Sequence, residues 1–420
     1  MENKTPILFP AVSIGFAGCG RNDNNAPHMP FKRHESSTQE LINALEHNSD
    51  ARLLLVKSIT KAKSINPDHD TNPAQNLEEY YSYLDWSIKC MPWSILPQPV
   101  GRSLYDRIDQ GIAYFYFILD IPLDELKDRE DLYYPSIQYI DPFRTWIKTY
   151  HDSWALYLNS KDSWKQDYLK IVLCDPLFGV QNGWYENPSN WHSFNDFFSR
   201  RLSSPDKRPI VLPDDNSVVV SCADAKPLGI WKIDANGNLI QHKESIIKSR
   251  KFKTIDDLLG PESLFHGQFY GGTLIHTFLD VNDYHRYHFP IGGTIREIRK
   301  IQAIDASGGI TLWDTNTKRY RLKDDIPGWQ MLETRGLVII ETDDLGFVAV
   351  LPIGMSQINS VNFVESLKVG DSIRKGQEMG WFLFGGSAIV YLFQKGVDFE
   401  LASVDHILQG EQLGTISRNK

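Results

Sequence analysis

Cysteine is scarce in this 420-residue chain, which has four, at positions 19, 90, 174 and 222, and no Cys-x-x-Cys pair. That spacing supplies neither a disulfide framework nor a zinc site, and it fits a reducing compartment. Long apolar runs are missing too. The longest candidate, Gly111 to Ile121, carries Asp120 and falls short of the roughly 20 residues that a spanning helix needs. Positive charge is not in excess: 44 Lys and Arg face 53 Asp and Glu, a net charge of -9. At long range that sign is repelled by nucleic-acid backbones and by anionic lipid, so nucleic acid is not expected as a partner. There is no internal repeat and no Gly-x-Ser-x-Gly elbow of the serine-hydrolase kind.

What is present is an ordinary folded composition, 41% hydrophobic and 23% charged, which excludes a disordered or fibrous chain. The length exceeds one core, so one large domain with an extension, or two domains, is expected. Pro6 to Ala17 is fairly apolar and ends in Phe16-Ala17-Gly18-Cys19, an imperfect lipoprotein box behind a weakly charged start. An unstructured or loosely docked leader is the preferred reading, with lipidated export through Cys19 as the alternative. Residues 20–40 are polar, hold two prolines and read as a linker, so 1–37 is assigned to leader and linker.

From 38 to 180 the periodicity is helical. Leu41, Ile42, Leu45 and Leu53, Leu54, Leu55 recur at three-to-four spacing, and Tyr105 to Leu119 and Phe143 to Leu158 continue the pattern. The aromatic stripes Tyr114, Tyr116, Phe117 and Trp146, Tyr150, Trp154 are read as core. Ser193 with Asp196, and Thr254 with Asp257, are N-terminal capping pairs, and Gly260 is a stop. Beyond about 208 short alternating runs, Ser217 to Val220, Gly336 to Glu341 and Phe347 to Leu351, have β-sheet texture. The class expected is therefore α+β: a helical N-terminal domain over 38–180, then a β-rich domain over 181–420 with a barrel-sandwich-like sheet.

Three segments can carry chemistry. Trp381 to Ser387 runs a hydrophobic strand into Gly385, Gly386 and a serine; taken alone this is a glycine turn, though two glycines leave the peptide carbonyl open to close approach. Asp283-Tyr284-His285-Arg286-Tyr287-His288 sets two histidines beside a carboxylate. Histidine is the natural proton-transfer group at neutral pH, although satisfied structural histidines or a His-x-x-His metal pair would look the same, and no third ligand is evident. Ser221-Cys222-Ala223-Asp224-Ala225 ends a β-run on an acid, in isolation an ordinary turn. Together Asp224, a histidine and Ser387 supply orienter, base and nucleophile.

With those three segments in that order, the chain resembles the phosphatidylserine decarboxylase family, whose pattern is Pro-Ala-Asp-Gly, Asp-Tyr-His-Arg-x-His and Gly-Gly-Ser. Further likeness lies in Phe194 to Leu202, Arg208-Pro209-Ile210, Leu258-Leu259-Gly260, Pro352-Ile353-Gly354 and Val369 to Gly380, so about 190 to 400 is covered. The helical part resembles the extension of a soluble branch that includes fungal tryptophan decarboxylases. Cys222 and Ala225 replace the usual Pro and Gly, which puts the local turn in question, and Met355 stands where a small residue is usual, which puts the pocket wall in question.

The resemblance implies a self-cleaving enzyme with no metal and no soluble cofactor. His288, steadied by Asp224, would deprotonate Ser387, whose Oγ attacks the Gly386 carbonyl. The resulting ester would eliminate to dehydroalanine, and hydrolysis would leave a pyruvoyl group on a new 34-residue chain, 387–420. That ketone would form an imine with the substrate amine and hold the electron pair left by CO2. His285 would return a proton to the α-carbon, with Asp283 behind it. The two self-derived chains are expected to stay associated, and a homodimer is left open. The substrate reading is a free L-amino acid, with aromatic ones included, ahead of phosphatidylserine; a non-catalytic binding protein on the same fold is the rival from another class. The location expected is cytoplasmic, with peripheral membrane contact left open.

Overall fold

Where apolar residues recur every third or fourth position the chain winds into helices, as the spacing predicts. The computed structural model describes residues 33–96, 103–240, 254–302, 310–323, 329–354, 360–385 and 387–418. Cys19, Met355 and Gly386, each given a part above, lie outside those ranges. α1 (Ser36–Glu46) and α2 (Ser49–Ile65) bury Leu41, Leu45, Leu55 and Ile59 on one side, and α3 (Leu77–Ser87) buries Tyr80, Tyr83 and Leu84. α4 (Leu104–Leu119) and α5 (Phe143–Leu158) carry the aromatic stripes inward, with Phe115 stacked on Tyr150 at 4.8 Å between ring centroids. α6 (Gln166–Leu173) follows.

The two capping pairs form as expected. Ser193 Oγ accepts from the Asp196 amide at 3.1 Å ahead of α7 (Phe194–Phe198), and Thr254 Oγ1 accepts from Asp257 at 3.1 Å ahead of α8 (Ile255–Leu259). α8 stops at Gly260, whose φ of 74° only glycine adopts without strain. α7 stops short of Leu202 because Arg200 turns into the interior, where it is fully buried.

Fifteen strands among the described residues make up the rest. β1 (Val218–Val220), β2 (Lys226–Lys232), β3 (Thr273–Leu279), β4 (Arg286–His288) and β5 (Gly293–Ile301) come first. β6 (Ile310–Asp314), β7 (Arg319–Lys323), β8 (Thr334–Thr342), β9 (Gly346–Gly354) and β10 (Val361–Phe363) follow. β11 (Ser372–Ile373), β12 (Glu378–Phe382), β13 (Ser387–Phe393), β14 (Val397–Leu401) and β15 (Gln412–Arg418) complete the order.

The main sheet is antiparallel and seven-stranded, in the order β11-β5-β8-β9-β13-β3-β2. Among the described residues its edges β11 and β2 are not paired with each other, so the sheet is not a closed barrel, and β10, β12 and β4 make a separate three-stranded sheet. β13 lies inside the sheet between β9 and β3, and every residue from Ser387 to Phe393 is buried, which explains its unbroken apolar run.

Residues 35–420 form one compact unit. The β6–β7 hairpin is one reason, since Tyr320 on β7 reaches among the helices. Its hydroxyl accepts from Asn66 at 2.9 Å, and its backbone exchanges bonds with the Gln110 side chain of α4 at 2.7 and 2.9 Å.

Candidate active site

The site grows from one end of the main sheet. Ser387 opens β13 opposite Leu279, the last residue of β3, and Gly354, the last of β9. It is 0% exposed, and among the described residues its Oγ has no hydrogen-bond partner. A buried hydroxyl left unpaired costs about 1–3 kcal/mol, so its persistence calls for a functional account. From Leu279 the chain passes through Asp283 and His285 into β4, which pairs with β12, the strand that leads back towards Ser387. His285 is joined to β12 by its carbonyl, which accepts from the Phe382 amide at 2.8 Å.

Both histidines are held in one tautomer by their partners. His285 Nδ1 lies 2.9 Å from the Asp283 carbonyl and His288 Nδ1 lies 2.9 Å from the Gly376 carbonyl. A carbonyl can only accept, so each Nδ1 carries the proton and each Nε2 presents a lone pair. His288 Nε2 accepts from the Tyr284 hydroxyl at 3.2 Å, whereas His285 Nε2 has no partner among the described residues. The His285 ring stacks on Phe198 at 3.7 Å, and Phe198 meets Phe384 edge-on at 5.2 Å. Burial first, and the Arg200 guanidinium second, push the His285 pKa well down. Burial also lowers that of His288, partly offset by the Gly376 carbonyl. Both rings are thereby kept neutral, and burial makes each a weaker base than an exposed imidazole.

The acids do not sit where the sequence reading put them. Asp224 was expected to steady His288, yet its carboxylate takes Arg208 at 2.8 and 3.3 Å and the Gln409 amide at 2.8 Å. A buried carboxylate needs full-charge compensation, and a guanidinium supplies it in two bonds where a neutral imidazole could not. The two are nevertheless neighbours, because the His288 amide donates to the Cys222 carbonyl at 2.8 Å. Asp283 supports His285 through its main-chain carbonyl, not its carboxylate, which instead accepts from His406 Nε2 at 2.8 Å and the Asp280 amide at 2.7 Å. Burial pushes the Asp283 carboxyl up to about 6, and the bond to it raises His406.

The two departures from the family pattern are absorbed locally. The Cys222 amide donates to the Tyr391 hydroxyl of β13 at 3.1 Å, a bond proline could not make. Ala225 bridges Ile407 in extended form. Among the described residues no cluster of three His, Cys, Asp or Glu side chains could hold a metal ion.

Tyr284, Arg208 and His406 were missed as site residues, as was Arg200, whose Nη2 donates to the Asn282 and Asp283 carbonyls at 2.7 and 2.9 Å and so braces the histidine segment. Arg208 and Arg200 fell inside segments noted for their likeness, but nothing local in sequence says which carboxylate or carbonyl an arginine will meet. The Arg208–Asp224 pair is almost sealed, at 3% and 4% side-chain exposure. Arg208→Met is expected to destabilise the fold by about 3–5 kcal/mol by stranding Asp224, and adding Asp224→Asn should recover most of that. Urea unfolding of both variants checks it; equal stability of the single and double variants would refute the pairing argument.

The same stretch of chain is similar to known proteins. The phosphatidylserine decarboxylase family profile matches residues 194–415, more than half of the chain. Decarboxylase iboD of Amanita muscaria is 28% identical over 290 residues, 60% of this chain and 77% of the relative. The phosphatidylserine decarboxylase proenzyme of Fusobacterium nucleatum is 31% identical over 212 residues, 50% of this chain and 63% of the relative. Phosphatidylserine decarboxylase proenzyme 2 of Oryza sativa is 29% identical over 240 residues, but only 35% of its length is covered. These matches define a carboxy-lyase. The chain belongs to the phosphatidylserine decarboxylase family.

Proposed function

We propose that the protein matures by breaking its own backbone before Ser387 and, with the pyruvoyl group so formed, decarboxylates a free L-amino acid. The observation that carries this reading is the pair of buried, unpartnered atoms, Ser387 Oγ and His285 Nε2, at one end of the main sheet. The surroundings of residue 387 fit such a group, being closed to solvent and fixed by pairing on both sides. A pyruvoyl group supplies a ketone that engages the substrate amine and accepts the electron pair left when CO2 departs.

The chain's own residues do the rest. His288 Nε2 takes the Ser387 proton once the Tyr284 hydroxyl yields its place, and Asp224 with Arg208 fixes the segment beside it. The Oγ then attacks the preceding carbonyl. His285, neutral and with a free lone pair, takes a proton from the incoming ammonium and returns it to the α-carbon. The two products stay together because β13, on the small chain, is paired along its length to β9 and β3 of the large one.

One observation favours a free amino acid over phosphatidylserine: the net charge of -9 opposes approach to anionic lipid. The test is CO2 release by processed protein offered free L-amino acids and phosphatidylserine vesicles separately. Release from amino acids is expected; release from vesicles alone would overturn the substrate reading.

A further inference from the structure

Two stretches of chain that self-cleavage would part are tied together behind the proton-carrying histidine. Residues 402–411 join β14 to β15 and so would go with residue 387 into the small chain; they run beside residues 221–225 of the large one. Ile407 and Ala225 exchange both backbone bonds at 2.9 Å, and Ser221 accepts from the Gly410 amide at 3.1 Å and donates to the Glu411 carbonyl at 2.8 Å. Held by that bridge, His406 brings Nε2 to 2.8 Å from Asp283 Oδ1. Its side chain is 44% exposed and that of Asp283 only 4%, so one ring joins solvent to a sealed acid. The other carboxylate oxygen, Oδ2, accepts from the Asp280 amide at 2.7 Å, and the Asp283 amide donates to the Asp280 carbonyl at 3.0 Å, closing a turn. From that turn projects the Asp283 carbonyl on which His285 Nδ1 rests at 2.9 Å.

We propose that His406 is a positioning residue for decarboxylation: by its bond to the Asp283 carboxylate it clamps the Asp280–Asp283 turn, and through that turn it sets the His285 ring against the group formed at residue 387. The inference rests on the assignment of proton transfer to His285 and deepens it. His406 would travel with residue 387 and His285 with the large chain, so the tie holds carrier and reacting group in register after the backbone between them is cut. A sealed carboxylate keeps its charge only beside a cation. Of the cations nearby, Arg208 is taken up by Asp224 and Arg200 by the Asn282 and Asp283 carbonyls, while Lys226 is exposed. Among the described residues His406 is the one bonded to the Asp283 carboxylate. Asp224 and Asp280 also face the ring; Asp280 is in turn bonded to the Tyr105 hydroxyl of α4 at 3.1 Å. On its own segment, Asp405 and Glu411 are bonded locally, to Ser403 and the Leu408 amide. Burial pushes the Asp283 carboxyl up to about 6, and the bond to Asp283 raises His406 above the ordinary imidazole range. Both partners are therefore charged in the interval between; acid closes it by protonating Asp283, alkali by discharging His406.

His406→Ala removes the bond, and His406→Gln keeps a neutral donor. Both, purified beside the wild type, would be offered the protein amino acids singly and, in a second arm, phosphatidylserine vesicles, with CO2 release followed from about pH 5 to about pH 9. Self-cleavage is expected in both, because removal of the Ser387 proton is assigned to His288. His406→Ala should lower kcat by about tenfold or more with KM within about twofold, the pattern of a misplaced reacting group. His406→Gln should recover part of that loss. Its acid limb should lie at higher pH than that of the wild type, since Asp283 without a cation takes its proton sooner, and the wild type's advantage should shrink as alkali discharges His406. Wild-type kcat in His406→Ala, or a loss that is uniform in pH and not recovered by glutamine, overturns the assignment. Should His406→Ala not fold, the pH profile of His406→Gln decides. A wild type that stays uncut, or releases CO2 in neither arm, overturns the reading of the site and this assignment with it. Release from vesicles alone overturns only the substrate reading, and the same comparison on vesicles then decides the role of His406.

Discussion

Ser387→Ala is expected to give one uncut chain of 48.1 kDa, folded and without decarboxylase activity. The wild type should give two chains, the smaller beginning at residue 387, blocked at its N-terminus and lighter than a serine start by the mass of one ammonia. The physical basis is that nothing else at that position can attack the preceding carbonyl. Stability should not suffer, because Oγ is buried without a partner and deleting it removes an unmet demand for a hydrogen bond. The unfolding midpoint of Ser387→Ala is thus expected to equal or slightly exceed that of an uncleaved reference such as His288→Ala. Cleavage of Ser387→Ala, seen by denaturing gel and intact-mass measurement, would refute the nucleophile. His288→Ala should itself cleave about 10²–10⁴-fold more slowly, the usual loss on removing a general base.

His285→Ala should separate the two reactions proposed for the site. Cleavage is expected to proceed, since removal of the Ser387 proton is assigned to His288 and not to His285. Decarboxylation should fall by about 10²–10⁴-fold, the usual loss on removing a group that carries a proton in the reaction. The ring is aligned for this by three independent contacts: the Asp283 carbonyl on Nδ1, Phe198 against its face, and its own carbonyl tied to Phe382. Single-turnover CO2 release by the processed variant measures the effect. Full activity would remove His285 from proton transfer, and failure to cleave would make it part of maturation instead.

These two variants probe residues that were legible in the sequence, whereas the contacts that set their chemistry were not. Ser387, His285, His288, Asp224 and Asp283 stand in short segments whose residue types are themselves the signal. Their partners are far away along the chain: Gly376 serves His288, Arg208 serves Asp224, and His406 serves Asp283. The order of acid, histidine and serine along the chain, with the family resemblance, made Asp224 look like the orienter of a histidine. Burial decided otherwise, because a carboxylate in the interior takes the strongest cation within reach. Trp154 was read as core packing, and α5 does bury it.

Local physics was enough to determine the helices with three-to-four periodicity, the caps at Ser193 and Thr254 and the strand after Ser387, since each depends on neighbours within a few positions. Tertiary structure alone decided that the main sheet stays open, that the β6–β7 hairpin is gripped by the helices, which tautomer each histidine holds, and where each acid finds its counter-charge. The reason is that a buried polar group is satisfied by whatever the fold brings within 3 Å, and that is fixed by the packing of distant segments, not by the order of residues around it.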